Sequence, residues 1–345
     1  MNVFLTGSDG YIGSLVTPFL VSRGHSVVGF DTGFYREGWL YSDGHTPHVF
    51  PPVISKDLRH ISAEDLTGVD CVVHLAELSN DPLSELMPDV TYAINHQASV
   101  RLAAMAKSVN VQRFVYASSC AVYGASDESW VTEESAPAPQ TAYARCKLLV
   151  EADVAGMADD RFSPVFLRNA TAFGASPRMR FDIVLNNLAG LACTTGRLTL
   201  TSDGTPWRPL VHVLDICRAI ACALEAPAEA IRAQVFNVGD NSQNYRIRDI
   251  ARIVGDAFPG CGVVIGPRSG DQRSYRVSFD KINSLLPGFR CEWDAARGAA
   301  QLRDLFERIA LTDERFRFRS FTRLEALKYL LSTGQVDRDL LWTRP

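Results

Sequence analysis

Tyr143 and Lys147 stand four residues apart in a stretch with helical spacing, 142–157, so their side chains share one face. A phenol titrates at about 10 and is a poor base at neutral pH. A nearby ammonium favours the phenolate and lowers that value, which suits proton transfer from an alcohol. Upstream, the apolar run 114–118 ends in Ser118-Ser119-Cys120, and Ser119 is placed to hydrogen-bond the same alcohol. Cys120 has two readings. It is either a small residue packed at a strand end or a second proton carrier, since a thiol of reference value about 8.5 can be tuned toward neutrality.

A Tyr/Lys pair alone is commonplace on helices. Its meaning here comes from the N-terminus, where the short apolar run Val3 to Thr6 leads into Gly7, Gly10 and Gly13 and then an amphipathic stretch, 14–23. Glycines permit a tight turn and close approach of a ligand to the backbone. A helix starting there aims unpaired N–H groups and a positive dipole end at that ligand, as a diphosphate requires. A second apolar run, 26–30, ends in Asp31. A carboxylate at that tip accepts hydrogen bonds from both ribose hydroxyls and repels a 2′-phosphate, which favours NAD over NADP.

These residues need a scaffold that brings strand ends together. The runs 3–6, 26–30, 71–75, 114–118 and 164–168 read as strands, and those apolar on both faces suit a buried parallel sheet. Helical stretches lie between them, notably 90–109 and 142–157. The alternation predicts an α/β fold, a doubly wound parallel sheet with right-handed crossovers. Its ligands sit at the carboxyl ends of the strands. After residue 170 the pattern changes, with strands at 209–213 and 234–238 and a helix at 214–224. The expected organisation is a dinucleotide-binding domain over 1–170, revisited at about 209–240. A smaller lobe for substrate spans 171–208 and 241–310, and a C-terminal extension spans 311–345. In that extension Arg315, Arg317, Arg319 and Arg323 interleave with Phe316, Phe318 and Phe321, ahead of an amphipathic helix at 322–333. Such a mixture can bind nucleic acid. The favoured reading is that the extension packs on the domain with its arginines in solvent.

At this point the motifs resemble those of the extended short-chain dehydrogenase/reductases, in the branch of NAD-dependent nucleotide-sugar epimerases and dehydratases. The resemblance is carried by Thr6-Gly7-x-x-Gly10-x-x-Gly13, Asp31, Asp57-Leu58, His74-Leu75-Ala76, Asn95, Ser118-Ser119-x-x-Val122-Tyr123-Gly124 and Tyr143-x-x-x-Lys147. It continues through Arg168-Asn169 to Gly174 and Arg208-Pro209 to Asp215, and ends near Arg268-Ser269-Gly270-Asp271. It implies a Rossmann fold with cofactor contacts at Gly7, Gly10, Tyr11, Ile12, Gly13, Asp31, Asp57, Leu58, Leu75, Ala76, Asn95, Ser118, Tyr143 and Lys147. It implies substrate contacts at Ser119, Asn169, Asn187, Arg208 and Arg268, the arginines holding the nucleotide diphosphate. Asn186 is a weaker candidate of the same kind. Lys147 would also hold the cofactor ribose. His74 and His212, without partners at metal-ligand spacing, read as packed strand-end histidines.

One departure matters. The 4,6-dehydratases of this family carry an acidic pair after the catalytic Ser/Thr, where this chain has Cys120 and Ala121. The expected activity is therefore NAD-dependent epimerisation of a nucleotide-diphosphate sugar through a transient 4-keto sugar, with Tyr143 as base. The alternatives are a dehydratase or C3/C5 epimerase using Cys120, and, in another class, a regulator that senses NAD(P) without turnover. A net charge of -4 gives no reason to invoke nucleic acid or an anionic membrane. No apolar run is long enough to span a bilayer, and no signal peptide opens the chain. The eight cysteines have no metal-ligand spacing and read as reduced, in the cytoplasm. Helices 90–109 and 142–157, with Ala103, Ala104, Ala152 and Ala155, are expected to pair two subunits into a homodimer.

Overall fold

Strands apolar on both faces assemble into one parallel sheet in the computed structural model, which describes residues 1–42, 51–79, 81–124, 130–267 and 274–343. The strands are β1 (Asn2–Thr6), β2 (Ser26–Asp31), β3 (Val53–Ser55), β4 (Cys71–His74), β5 (Arg113–Ser119), β6 (Ser163–Asn169) and β7 (Gln234–Val238). Their spatial order is β7-β6-β5-β4-β1-β2-β3. The order reverses between β1 and β4, and a ligand crevice opens at such a switch point. Register lines up the chemistry: Thr6 pairs with both Phe30 and His74, and Ser119 pairs with Asn169. Phe4, Val72, Phe114 and Phe166 fill one side of the sheet, and Leu5, Val73, Val115 and Leu167 the other.

Three helices matter for the site. Helix α1 (Gly13–Ser22) follows the glycine turn directly. The helix Ala142–Ala155 starts where the Thr141 hydroxyl accepts the Ala144 N–H, and Gly156 follows its end. The helix expected over 90–109 is made of three consecutive pieces, α-helical at Pro88–Thr91, a π-helical widening at Tyr92–Ala98 and α-helical again at Ser99–Ser108. Such widenings often accompany functional sites. Among the described residues no helix is long and apolar enough to cross a membrane.

Of the two strands read after residue 200, Gln234–Val238 joins the main sheet as β7. The other, Trp207–His212, lies in a separate three-stranded sheet with Thr171–Phe173 and Asn244–Arg246. The helices Val184–Thr195, Ile247–Ala257 and Ala295–Arg308 pack over this second sheet around Leu185, Ile250, Leu302 and Phe306.

The solvent placement of the tail arginines is corrected. Phe316 and Phe321 are buried against Phe181, at ring-centroid distances of 4.8 and 5.8 Å. Gly190 makes room for the first, since a Cβ there would lie 2.2 Å from its ring. Burying each ring is worth about 1.5–3 kcal/mol. Anchored this way, the chain cannot hold its polar heads clear of the domain. Arg315 donates to the Leu40 carbonyl, Arg319 pairs with Glu37, and Arg323 is buried; Arg317 alone of the four is exposed. The helix Arg323–Ser332 then inserts Leu327 and Leu330 among Leu78, Leu83, Val90 and Ile94.

Candidate functional site

The glycine turn is built by close approach. Gly7 has φ +75°, and a Cβ on it would meet the Ala76 nitrogen at 2.8 Å. A Cβ on Gly13 would lie 2.0 Å from the Gly7 carbonyl oxygen, so only glycine fits there. Ile12 caps α1 without a side-chain hydrogen bond; the Ser14 and Leu15 N–H groups donate to the Gly10 and Ile12 carbonyls, while those of Ile12 and Gly13 donate to no described residue and are left to a ligand. Facing them, the Asp31 carboxylate accepts the N–H groups of Asp9 (3.0 Å) and Gly33 (2.7 Å), which fix its orientation at the tip of β2. An acid at this tip and a bare helix start 20 residues or fewer away fit a dinucleotide with an unphosphorylated ribose. Gly7, Gly10, Tyr11, Ile12, Gly13, Asp31, Asp57, Leu58, Leu75, Ala76 and Ser118 all line one cleft. Ser119, Tyr143, Lys147, Asn169 and Arg208 line the same cleft.

At its floor Tyr143 and Lys147 meet as the spacing predicts, the ammonium 5.3 Å from the phenol ring centroid. Ser119 lies beside the phenol and favours its ionised form. The direction of the Tyr143 titration differs from expectation. Burial pushes it above its ordinary value, Lys147 and Ser119 pull it down, and Glu77 and Asp81 push it up. The protein by itself therefore holds Tyr143 as a phenol.

Burial is the main reason Lys147 does not prevail, and Glu77 adds to it. Its carboxylate lies 2.5 Å from the Lys147 ammonium and also accepts the Tyr116 hydroxyl. Lys147 donates further to the Ala117 carbonyl, and it lies 4.6 Å from the Tyr116 ring centroid. Burial alone would lower Lys147, but Glu77 and Tyr143 outweigh it and hold the ammonium above its ordinary value. Sequence reasoning missed Glu77. The signal was present: a charged residue directly after Leu75-Ala76, at the carboxyl end of β4.

Three of the expected site residues lie elsewhere. Cys120 is buried in the core behind the strand end, and its thiol donates to the Arg168 carbonyl at 3.1 Å. Burial pushes that thiol well up, so it is held neutral and out of the cleft; the geometry is the packing alternative. Asn95 does not line the cleft either. Its amide accepts the Leu78 N–H at 2.9 Å and donates to the Leu78 carbonyl at 3.1 Å, bracing the loop after β4 from behind. Asn187 donates to the Phe181 carbonyl, also away from the cleft, because its turn of the helix faces the chain that precedes it. Arg268 falls outside the described residues. Asn186 is buried and ties the Gly174 N–H to the Tyr11 hydroxyl and the Arg180 carbonyl.

The strand end that carries Ser119 is held by a buried pair. Arg168 meets Glu151 at 2.6 Å and donates to the Tyr123 hydroxyl, while Ser118 donates to Glu151. His74 bridges Thr6 (2.6 Å) and Ser99 (2.7 Å), and burial lowers its titration to about 3, so it is a neutral spacer. His212 stacks on Trp293 at 4.2 Å and meets Gln301. Both histidines are the packed residues that the sequence suggests.

Two further cations at the cleft were not foreseen as site residues. Arg180 forms a two-pronged pair with Asp182 (2.9 and 3.0 Å) and reaches Ser79, and Arg323 enters from the C-terminal helix. Arg180 was legible only as one more arginine in a polar loop. Arg323 sat in a segment that nothing in the motif pattern reaches.

The model of the NAD dependent epimerase/dehydratase family matches residues 3–239 of this chain. The UDP-glucose 4-epimerase of Bacillus subtilis is 24% identical over 331 residues, covering 88% of this chain and 94% of that protein. That of Lactobacillus helveticus is 28% identical over 318 residues, covering 83% and 91%. Among solved structures, MoeE5 in complex with UDP-glucuronic acid and NAD superposes with TM-score 0.76 at 26% identity, covering 90% of this chain and 100% of that one. The NDP-hexosamine 5,6-dehydratase TunA superposes with TM-score 0.77 at 22% identity, covering 89% and 98%, a likeness of fold.

Proposed function

Because the chain belongs to the NAD dependent epimerase/dehydratase family, we propose that it is a nucleotide-sugar epimerase that inverts C4 of its substrate through a transient 4-keto sugar. The observation that carries this reading is the phenol of Tyr143, lining one cleft with Ser119 and backed by Lys147, where the glycine turn and Asp31 also lie. NAD, when bound there, supplies the hydride acceptor and a cationic ring beside the phenol. Tyr143 takes the proton of the C4 hydroxyl and gives it back when the other face of the ketone is reduced. Ser119 aligns that hydroxyl. Lys147 stabilises the phenolate and holds the nicotinamide ribose. Asn169, at the end of β6, and Arg208, at the edge of the lobe, are the contacts for sugar and nucleotide diphosphate, with Arg268 as a third from the chain outside the described residues.

The buried, neutral Cys120 supports no acid/base chemistry next to C4, and neither position directly after Ser119 is acidic. Purified protein incubated with UDP-, dTDP-, GDP- and CDP-sugars is expected to invert one of them, without net reduction of NAD and without deuterium entering C3 or C5 from heavy water. UDP-glucose is the first to try, given the relatives. No conversion of any of them by protein carrying NAD would overturn the reading. Deuterium at C5 would favour elimination instead.

The assembly proposed is a homodimer through the helices Ser99–Ser108 and Ala142–Ala155. Ala104, Leu149 and Ala152 are exposed on these helices, while Ala103 is buried within the subunit. Light scattering is expected to give twice the 38.0 kDa chain mass, and the monomer mass would refute it. All eight cysteines are free, which supports a reducing compartment such as the cytoplasm.

A further inference from the structure

Arg323 is 3% exposed, and no described residue gives its guanidinium a hydrogen bond or an ion pair. Its one close partner is the face of Tyr35, with the guanidinium carbon 3.9 Å from the ring centroid. Tyr35 is itself a neutral phenol, raised to about 12 by burial. The nearby carboxylates are committed. Asp182 is paired with Arg180, and Asp31 is held by two backbone N–H groups. Both still attract Arg323 from a distance, but no described ion pair joins them to it, and a cation–π contact offsets only part of the cost of a buried charge. Yet this cation lines the cleft rather than the core.

Its place along the cleft identifies the missing partner. Arg323 is close enough to Asp31 and Arg180 to feel both charges, and Arg180 in turn feels Tyr143. Asp31 marks the adenosine ribose and Tyr143 the nicotinamide ribose. The part of a dinucleotide between its two riboses is the diphosphate. The start of α1, where the Ile12 and Gly13 N–H groups donate to no described residue, lines the same cleft.

We propose that Arg323, carried in by the C-terminal segment, binds the diphosphate of the dinucleotide, which makes residues 311–343 a working part of the cofactor site. The segment has the anchorage for this. Leu327 and Leu330 pack beside Leu78, in the loop after β4, and the Trp342 indole donates to the Thr32 carbonyl directly after Asp31. The family match ends at residue 239, so the motif residues give this chain its cradle and the tail completes it. The inference rests on the cofactor half of the proposed function and not on its sugar chemistry.

The test compares adenosine, ADP and NAD as ligands of nucleotide-free protein, by calorimetry, for the parent chain and for Arg323→Gln, Arg323→Lys and Arg323→Ala. The parent is expected to bind ADP at least tenfold more tightly than adenosine. Arg323→Gln and Arg323→Ala are expected to lose most of that preference, to weaken NAD at least tenfold and to leave adenosine unchanged; Arg323→Lys falls between. An ADP-to-adenosine ratio equal to the parent's in Arg323→Gln would overturn the proposal. So would an equal loss for both ligands, which marks a packing role. A parent that binds NAD but turns over no sugar nucleotide would sink the epimerase reading and leave this one standing.

Discussion

Tyr143→Phe is expected to lower turnover about 10²–10⁴-fold, the usual contribution of a positioned acid/base, while NAD content and the melting temperature stay near those of the parent. The phenol lies in a cleft beside Ser119, and what the substitution removes is one hydroxyl. A chain that only sensed the dinucleotide would behave identically with phenylalanine there. The pH dependence carries a sign. Burial, with Glu77 and Asp81, pushes Tyr143 up. A base must be deprotonated to work, so the rate is expected to climb with pH on the alkaline side of neutrality, and bound NAD brings that limb down. Glu77→Gln removes one negative charge that opposes the phenolate. Its limb is expected to move to lower pH. If Glu77 only fills space, the limb stays where it was.

Lys147→Met has the largest expected effect on stability. It strands the Glu77 carboxyl in a buried site with the Tyr116 hydroxyl as its remaining partner. Breaking a buried ion pair from one side costs about 3–5 kcal/mol. The stranded carboxyl then favours its neutral form, so its folded value lies above its unfolded value. A raised carboxyl binds more protons in the folded state, and stability falls as pH rises from the unfolded value through the folded one. The deficit of Lys147→Met should therefore be small near pH 4 and full at pH 7, read from denaturant unfolding at the two pH values. Adding Glu77→Gln is expected to restore part of the loss at pH 7 and none near pH 4. Equal deficits at both pH values would show that the lost interaction is packing of the lysine stem.

The legible part of this protein is local. Gly7, Gly10 and Gly13 precede a helix by a fixed count, and Tyr143 and Lys147 share a helical face by spacing alone. Asp31 and Ser119 end apolar strands, whose ends meet in any sheet of this winding. Such relations hold within one turn or one strand, where backbone geometry decides them. The sheet and the cleft with its glycine cradle and Tyr/Lys pair followed from the order of these pieces. What lay beyond reach was decided by packing between distant segments. Cys120 follows Ser119 by one residue, but the chain turns into a short 3₁₀ helix at Cys120–Tyr123, and the thiol is carried into the core. Asn95 and Asn187 are polar residues in the expected regions, but loop carbonyls take up their amides. The charge balance of Lys147 depends on Glu77, 70 residues upstream of it, and that contact exists only because the end of β4 lies against the helix Ala142–Ala155. Arg323 stands farthest from the motifs in the chain yet beside them in space, because Phe316, Phe321, Leu327 and Leu330 had apolar surface to bury and the cleft wall offered it. Hydrophobic burial has no preferred sequence separation, so which charges face one another across the cleft was settled by the folded core.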